Sequence, residues 1–308
     1  MESIIGKIKR LGLKMAFQKF IGFEAVFTCG VRKINEAPLY AGNVETPFNL
    51  MSYSSKYWYA DPLLYDFSGD VYLYMEAFDR KQKKGCIACS KISNGKIETP
   101  RVIIEEPYHM SFPMIFEMKN EVYMIPETEA GGTINIYINS GNPYEWRLLQ
   151  RIKTNISIVD SAVYSLKDDT VSIIASTFDL ENPKLTKYIM FQLKRENNIF
   201  SIEYSNDFNS SSKYGYGNRN AGYIIGDLHC TQKSTPAIYG YSSVFYQLNS
   251  INEKNIDEQF VSEVRPEQIR MISDKKIKPI GTHTYSIVGD YEVIDLEYLD
   301  FNYRKWIR

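Results

Sequence analysis

Asp61, Glu127 and Asp160 are the residues whose types and settings best suit chemistry. They stand in YWYADPLL, YMIPET and SIVDSAVY. Three carboxylates brought to one point can make or break a glycosidic bond. One must be protonated to help a leaving oxygen depart, and another ionised to activate water or attack carbon. The third can hold the acid's pKa up by charge repulsion. Each also has a plainer reading: Asp before Pro is a common strand entry, and Glu after Pro can be a cap or a solvated face.

Other residues can join them. His109 precedes SFPMIF and His283 sits in GTHTYS, so both can face one channel mouth, whereas a lone histidine such as His229 is more often hydrogen-bonded structure. Arg219 and Gln232 can grip hydroxyl, carboxylate or phosphate oxygens. Trp58 and Tyr59 flank Asp61, an aromatic platform beside a carboxylate that core packing explains nearly as well. Cys86-x-x-Cys89 lies in a strand-like segment where positions three apart face opposite ways, and no second pair at zinc spacing follows, so a structural role is expected. The histidines show no metal spacing. No GxGxxG after a strand, GxxxxGK[ST] or GxSxG is present, and no clear Asp-x-Asp follows a strand. Neither a metal nor a cofactor is expected.

The elements that position these residues are repeated. ADPLLYDFSGDVYLYMEAFD (60–79) aligns with SFPMIFEMKNEVYMIPETEA (111–130), with Pro62 over Pro113, Tyr72 over Tyr123 and Glu76 over Glu127, each 51 residues apart. VDSAVYSLKDDTVSIIASTF (159–178) follows 48 to 49 residues on, placing Asp160 in register with Asp61 and with Phe112 between them. Each copy is an apolar strand, a polar turn (SGD, KNE, KDD) and a second β-rich strand. Further strands follow each hairpin, which is propeller-blade organisation. Weaker copies near 235 and 282 bring the count to five. The interval before 235 holds SNDFNSSSKYGYGNRNAG, expected to be a long loop. Segments near 23–32 and 292–298 are expected to close the ring. The fold class expected is all-β, a five-bladed β-propeller over 23–308 preceded by a basic amphipathic segment over 1–22.

With 308 residues, 36 basic and 37 acidic side chains and a net charge of -1, the chain lacks the basic excess of a nucleic-acid binder. No apolar run is long enough to span a bilayer. The first twenty residues intersperse Lys7, Lys9, Arg10, Lys14 and Lys19 with Ile4, Ile8, Leu11 and Phe17. A short basic helix there can lie on an anionic membrane or pack on the protein body. The scattered cysteines and lack of a signal peptide lead to an expected cytoplasmic location, peripheral on the inner membrane if the helix binds lipid.

At YWYADPLL, HMSFPMIFE, YMIPET, NRNAG and GTHTYS…VID the sequence resembles the propeller module at the N-terminus of plant glucosamine inositolphosphorylceramide transferases, with stand-alone bacterial relatives in surface-polysaccharide gene sets. That module is similar to the five-bladed glycosidases, the arabinanases, invertases and levansucrases. The resemblance implies Asp61 as base or nucleophile, Glu127 as acid and Asp160 as modulator. Chain order departs from the arabinanase pattern, because Glu127 precedes Asp160, and His229 stands where the family would carry Arg. The expected function is glycosyl transfer in bacterial surface polysaccharide assembly, such as O-antigen or capsule, from a sugar donor to a glycan or lipid-linked acceptor. The rivals are a glycoside hydrolase using the same carboxylates and a non-catalytic glycan-binding or scaffold module.

Overall fold

Five sheets, antiparallel except where Phe48–Leu50 meets Met271–Ile272, follow one another along the chain in the computed structural model, which describes residues 22–178, 185–205, 215–216, 219–235, 238–252 and 254–301. Blade 1 runs through Tyr57–Phe67, Asp70–Asp79 and Lys84–Ser93, and blade 2 through Ser111–Met118, Glu121–Glu127, Thr133–Asn139 and Trp146–Lys153. Blade 3 contains Val159–Lys167, Thr170–Phe178, Leu185–Glu196 and Ile199–Tyr204. Blade 4 contains Arg219–Ile225, Leu228–Lys233, Ser242–Ile251 and Ile256–Val264. Blade 5 joins the two ends of the ring. Tyr285–Val288 pairs with Tyr291–Phe301, which pairs with Phe23–Lys33 over eleven residues, and Phe48–Leu50 lies outside them. The chain is a five-bladed β-propeller, and its closure joins the two segments expected from the sequence.

Two-residue turns set each inner hairpin. Ser68 and Gly69 have φ of 55° and 90°, and Lys119 and Asn120 have 53° and 61°. Such left-handed pairs match the right-handed twist of the flanking strands. Apolar residues alternate between the two faces of each blade and pack against the neighbouring blades. Cys86 and Cys89 accordingly fall in two different core clusters. Burial pushes both thiols up to about 12, so they are inert fillers of the core.

The sequence reading misplaced the fourth blade. Its inner strand is Arg219–Ile225, so Arg219–Gly222 is strand rather than the end of a loop, and the segment from 235 leads into the third strand. The strand was hidden because it begins with polar residues and carries Gly222 at φ 142°, where a side chain would run into the backbone of Tyr285. The expected N-terminal helix lies outside the described residues. Among the described residues no helix is long and apolar enough to cross a membrane.

A lock between the chain's first and last strands holds the ring shut. Arg32, 2% exposed, donates to Glu292 Oε1 at 2.6 Å and to the carbonyl oxygens of Thr46 and Asn43. Glu292 Oε2 accepts from the Leu39 amide and the Tyr285 hydroxyl. Every polar group in this lock is paired, the condition under which a buried charge is tolerated.

Candidate active site

The same irregularity recurs on the inner strand of four blades. Pairing with the second strand slips between Ala60 and Leu63, Ser111 and Met114, Val159 and Ala162, and Asn220 and Ile224. Within those bulges Asp61, Phe112 and Asp160 adopt left-handed φ of 51°, 43° and 48°, and Gly222 takes the fourth place. A non-glycine residue held there costs about 1–3 kcal/mol, so the surroundings must over-determine it.

The bulge frees a backbone N–H from the sheet, and a carboxylate of the preceding blade captures it. The Asp61 N–H donates to Asp295 Oδ2 at 3.2 Å, the Phe112 N–H to Asp61 Oδ2 at 3.3 Å, and the Asp160 N–H to Glu127 Oε2 at 3.2 Å. At the next junction the Asn220 side chain donates to the Asp160 carbonyl at 2.7 Å. The acids therefore stitch blade to blade around the axis as well as lining it.

They enclose a cavity of about 240 Å³. Eight of the residues picked out from the sequence line it, Asp61, Glu127, Asp160, Trp58, His109, Arg219, Gln232 and His283, whereas Tyr59 packs in the core between blades. Glu76, Asn220, Tyr239 and Thr284 line it too and were missed. Glu76 carried a visible signal, since the repeat aligns it with Glu127. Asp295 stands behind the cavity and was quoted only within a motif. His229 is walled off, with Nδ1 2.8 Å from Glu258 and Nε2 2.9 Å from Asn220 Oδ1. Because the Asn220 amide nitrogen donates to two carbonyls, its oxygen is the acceptor and His229 Nε2 carries a proton. His229 thus fixes Asn220 and, through it, the Asp160 backbone.

Two charged clusters divide the cavity. In the first, His283 Nδ1 lies 2.6 Å from Asp295 Oδ2 and Nε2 lies 3.7 Å from Asp61 Oδ1, with the Phe27 ring stacked on the imidazole at 4.7 Å. Burial works against its charge, but Asp295, Asp61 and Asp160 lift its pKa to about 9. His283 is therefore an imidazolium at neutral pH. Asp61 also accepts from the Thr284 hydroxyl at 3.0 Å. Burial raises its pKa, and Asp295 and Glu127 add to that, against the lowering effect of His283.

In the second cluster Arg219 bridges two acids, Nη2 to Glu127 Oε2 at 3.0 Å and Nε to Asp160 Oδ2, and its Nη1 donates to the Tyr239 hydroxyl at 2.8 Å. Burial raises the Asp160 pKa against the opposing pull of Arg219, and Glu127 and Asp61 add to the rise. Trp58 stacks on Phe78 at 4.4 Å, which fixes its indole at the cavity wall.

Asp61, His283 and Asp295 each offer a ligand atom within 4.8 Å of the others, a spacing at which a cation can be held. Their oxygens are already engaged. Asp295 Oδ1 accepts the His283 and Thr284 amides, its Oδ2 serves Asp61 N and His283, and both Asp61 oxygens have donors. With an imidazolium among them, the donor set suits a hydrogen-bond network better than a metal.

Comparison with known proteins follows the same line. The family model described as "Glucosamine inositolphosphorylceramide transferase 1, N-terminal" matches residues 45–273. The chain belongs to this family. It is 32% identical over 106 residues to Glucosamine inositolphosphorylceramide transferase 1 of Arabidopsis thaliana, covering 34% of this chain and 14% of that protein. The protein of the same name from Oryza sativa subsp. indica is 24% identical over 207 residues, covering 65% of this chain and 27% of that one. The chain thus spans well under a third of the length of these family members. Among solved structures, the GH43_1 enzyme from Xanthomonas citri complexed with xylose matches with a TM-score of 0.51 at 10% identity. That match covers 80% of this chain and 88% of the other, a likeness of fold.

Proposed function

We propose that the central cavity is a carbohydrate site at which a glycosidic bond is made or broken. The observation that carries this reading is the convergence of Asp61, Glu127 and Asp160, from three blades, on one cavity of about 240 Å³ walled by Trp58. The cavity has room for a single sugar ring, an aromatic wall to stack it and carboxylates to act on its anomeric carbon. Asp61 is the base or nucleophile. It is held by two donors beside the His283 imidazolium, so its orientation is fixed before a substrate arrives. Asp160 and Glu127, both clamped by Arg219, complete the carboxylate set.

The fuller reading is transfer of a glycosyl unit to a glycan or lipid-linked acceptor in bacterial surface polysaccharide assembly, at the cytoplasmic face of the inner membrane. The family's transferase name supports transfer, and the basic residues of 1–20 support work near an anionic surface. One observation favours hydrolysis or transglycosylation over use of a nucleotide-sugar donor. Arg219 is taken up by two carboxylates and His283 by Asp295, so the acid-rich cavity offers little to a diphosphate.

The deciding experiment incubates the protein with candidate glycans, with and without nucleotide sugars. Product formed only with a nucleotide sugar establishes donor-dependent transfer, and product formed without one establishes glycoside cleavage. Turnover that survives Asp61→Asn would refute the site. Glycan binding with no product under either condition would leave the non-catalytic module as the function.

A further inference from the structure

Glu76 and Glu127 hold the same place on neighbouring blades. Ala60 pairs with Glu76 and Ser111 with Glu127, each the last pair before the bulge on its inner strand. Their surroundings differ sharply. Glu127 Oε2 accepts both the Arg219 guanidinium and the Asp160 amide, so its carboxyl is tied to a cation and to a backbone donor. Glu76 is 4% exposed, lines the same cavity, and its Oε1 is buried with no hydrogen-bond partner.

The neighbour nearest to answering Glu76 is His109. The Gly85 amide donates to His109 Nδ1 at 2.9 Å, so Nδ1 is an acceptor and the ring proton sits on Nε2. His109 Nε2 faces Glu76 Oε1 across 3.6 Å. With the Nε2 proton on the Oε1 side, Oε2 is the oxygen placed to hold a carboxylic proton. Gly85 is required for this approach, since a Cβ there would meet Glu76 Oε1 at 2.5 Å and His109 Cε1 at 2.8 Å.

We propose that Glu76, rather than Glu127, is the proton donor of the cavity, held as a neutral carboxylic acid with its tautomer set by His109. The proposal rests on the glycosidic reading above. In the step it performs, the Glu76 O–H bond breaks and an O–H bond forms on the departing oxygen as the bond from that oxygen to the anomeric carbon breaks. Glu76 is left as a carboxylate. Either Asp61 attacks the anomeric carbon, and the incoming hydroxyl then displaces Asp61 from that carbon while giving its proton to the Glu76 carboxylate; or Asp61 takes the proton of the incoming hydroxyl as that oxygen attacks, and water then carries that proton away from Asp61 and returns one to Glu76.

The charged and titratable groups facing Glu76 are Asp61 on its own blade, Glu127 on blade 2, Asp295 on blade 5 and His109. Burial, followed by the three acids, moves its pKa well above the ordinary glutamate value.

Infrared spectroscopy of the full chain labelled with carboxyl-¹³C glutamate reads the proton directly. At pH 7 a protonated-carboxyl band should move with the label, persist in Glu127→Gln and vanish in Glu76→Gln. Absence of a label-sensitive band, or its loss in Glu127→Gln, overturns the proposal. Should Glu76→Gln fail to fold, Glu76→Asp, which keeps the acid but takes it out of the glutamate label, should abolish the label-sensitive band, and a band that persists there overturns the proposal.

Glycosides of one sugar test the role. Glu76→Gln should cleave a 2,4-dinitrophenyl glycoside within about tenfold of wild type, yet lose on the order of 10²–10⁴-fold on the methyl glycoside. Equal losses on the two overturn the donor role. A wild type inert to every glycoside overturns the donor role, and one inert to nucleotide sugars with acceptor glycans as well sinks the glycosidic reading too. A missing band in an active wild type sinks Glu76 alone.

Discussion

The backbone amide of Phe112 donates to Asp61 Oδ2 at 3.3 Å, across the junction between blades 1 and 2. A carboxylate that lines the cavity therefore also holds the neighbouring blade in its left-handed bulge. Replacing it removes chemistry and a structural tie together. Asp61→Asn keeps one acceptor oxygen and should fold, with loss of turnover on the order of 10²–10⁴-fold. Asp61→Ala should in addition lower the melting temperature, because the Phe112 amide and the Thr284 hydroxyl lose their acceptor. Paired kinetic and thermal measurements on the two variants separate these effects.

Removing Arg219 leaves Glu127 and Asp160 facing each other without a cation. Arg219→Met should destabilise the fold by about 3–5 kcal/mol at neutral pH, as loss of one partner of a buried pair does. The deficit should shrink as pH falls and the stranded carboxylates take up protons. Chemical denaturation at several pH values checks both statements, and a deficit independent of pH would contradict them.

His283 makes a pH dependence of the opposite sense. Its pKa in the folded protein is raised to about 9 from an ordinary 6.5. The stabilisation from its charge is therefore complete below about pH 6.5 and lost as pH rises through about 9. Melting curves of the wild type should decline across that window, and His283→Gln should flatten the decline. An imidazole resonance titrating near 6.5 would refute the assignment.

The closure lock gives a prediction away from the cavity. Arg32→Met strands Glu292, which is fully buried, and should cost about 3–5 kcal/mol in denaturant unfolding. Hydrogen exchange should quicken first in Phe23–Lys33 and Tyr291–Phe301, the strands it joins.

Much of this was legible in the residues themselves. The 51-residue spacing gave blades 1 and 2 with their register, because two strongly apolar hairpins with two-residue turns leave little freedom in alignment. Asp61 and Asp160 were found for the same reason. Blade 4 was not, since Arg219, Asn220 and Gly222 serve the cavity and the bulge and so break the alternation that marks a strand. Glu76 was partly visible, since the repeat aligns it with Glu127. Within YMEAFD, however, it reads as one polar position of a half-buried strand, and only the structure shows that its Oε1 is buried without a hydrogen-bond partner. The division of labour between Arg219 and His283 depends on contacts across the ring, 59 and 222 residues apart in Arg219–Asp160 and His283–Asp61, which no local pattern encodes.

Ring closure by the strand pair Phe23–Lys33 and Tyr291–Phe301 has a consequence for biogenesis. The earlier strand leaves the ribosome some 260 residues before its partner. At ~5–20 residues per second that interval is on the order of tens of seconds. Throughout it Phe23–Lys33 presents an unsatisfied edge while four blades form behind it. A nascent chain in that state is a substrate for chaperones and a seed for intermolecular strand addition. Translation speed past the fourth blade therefore bears directly on the yield of native protein.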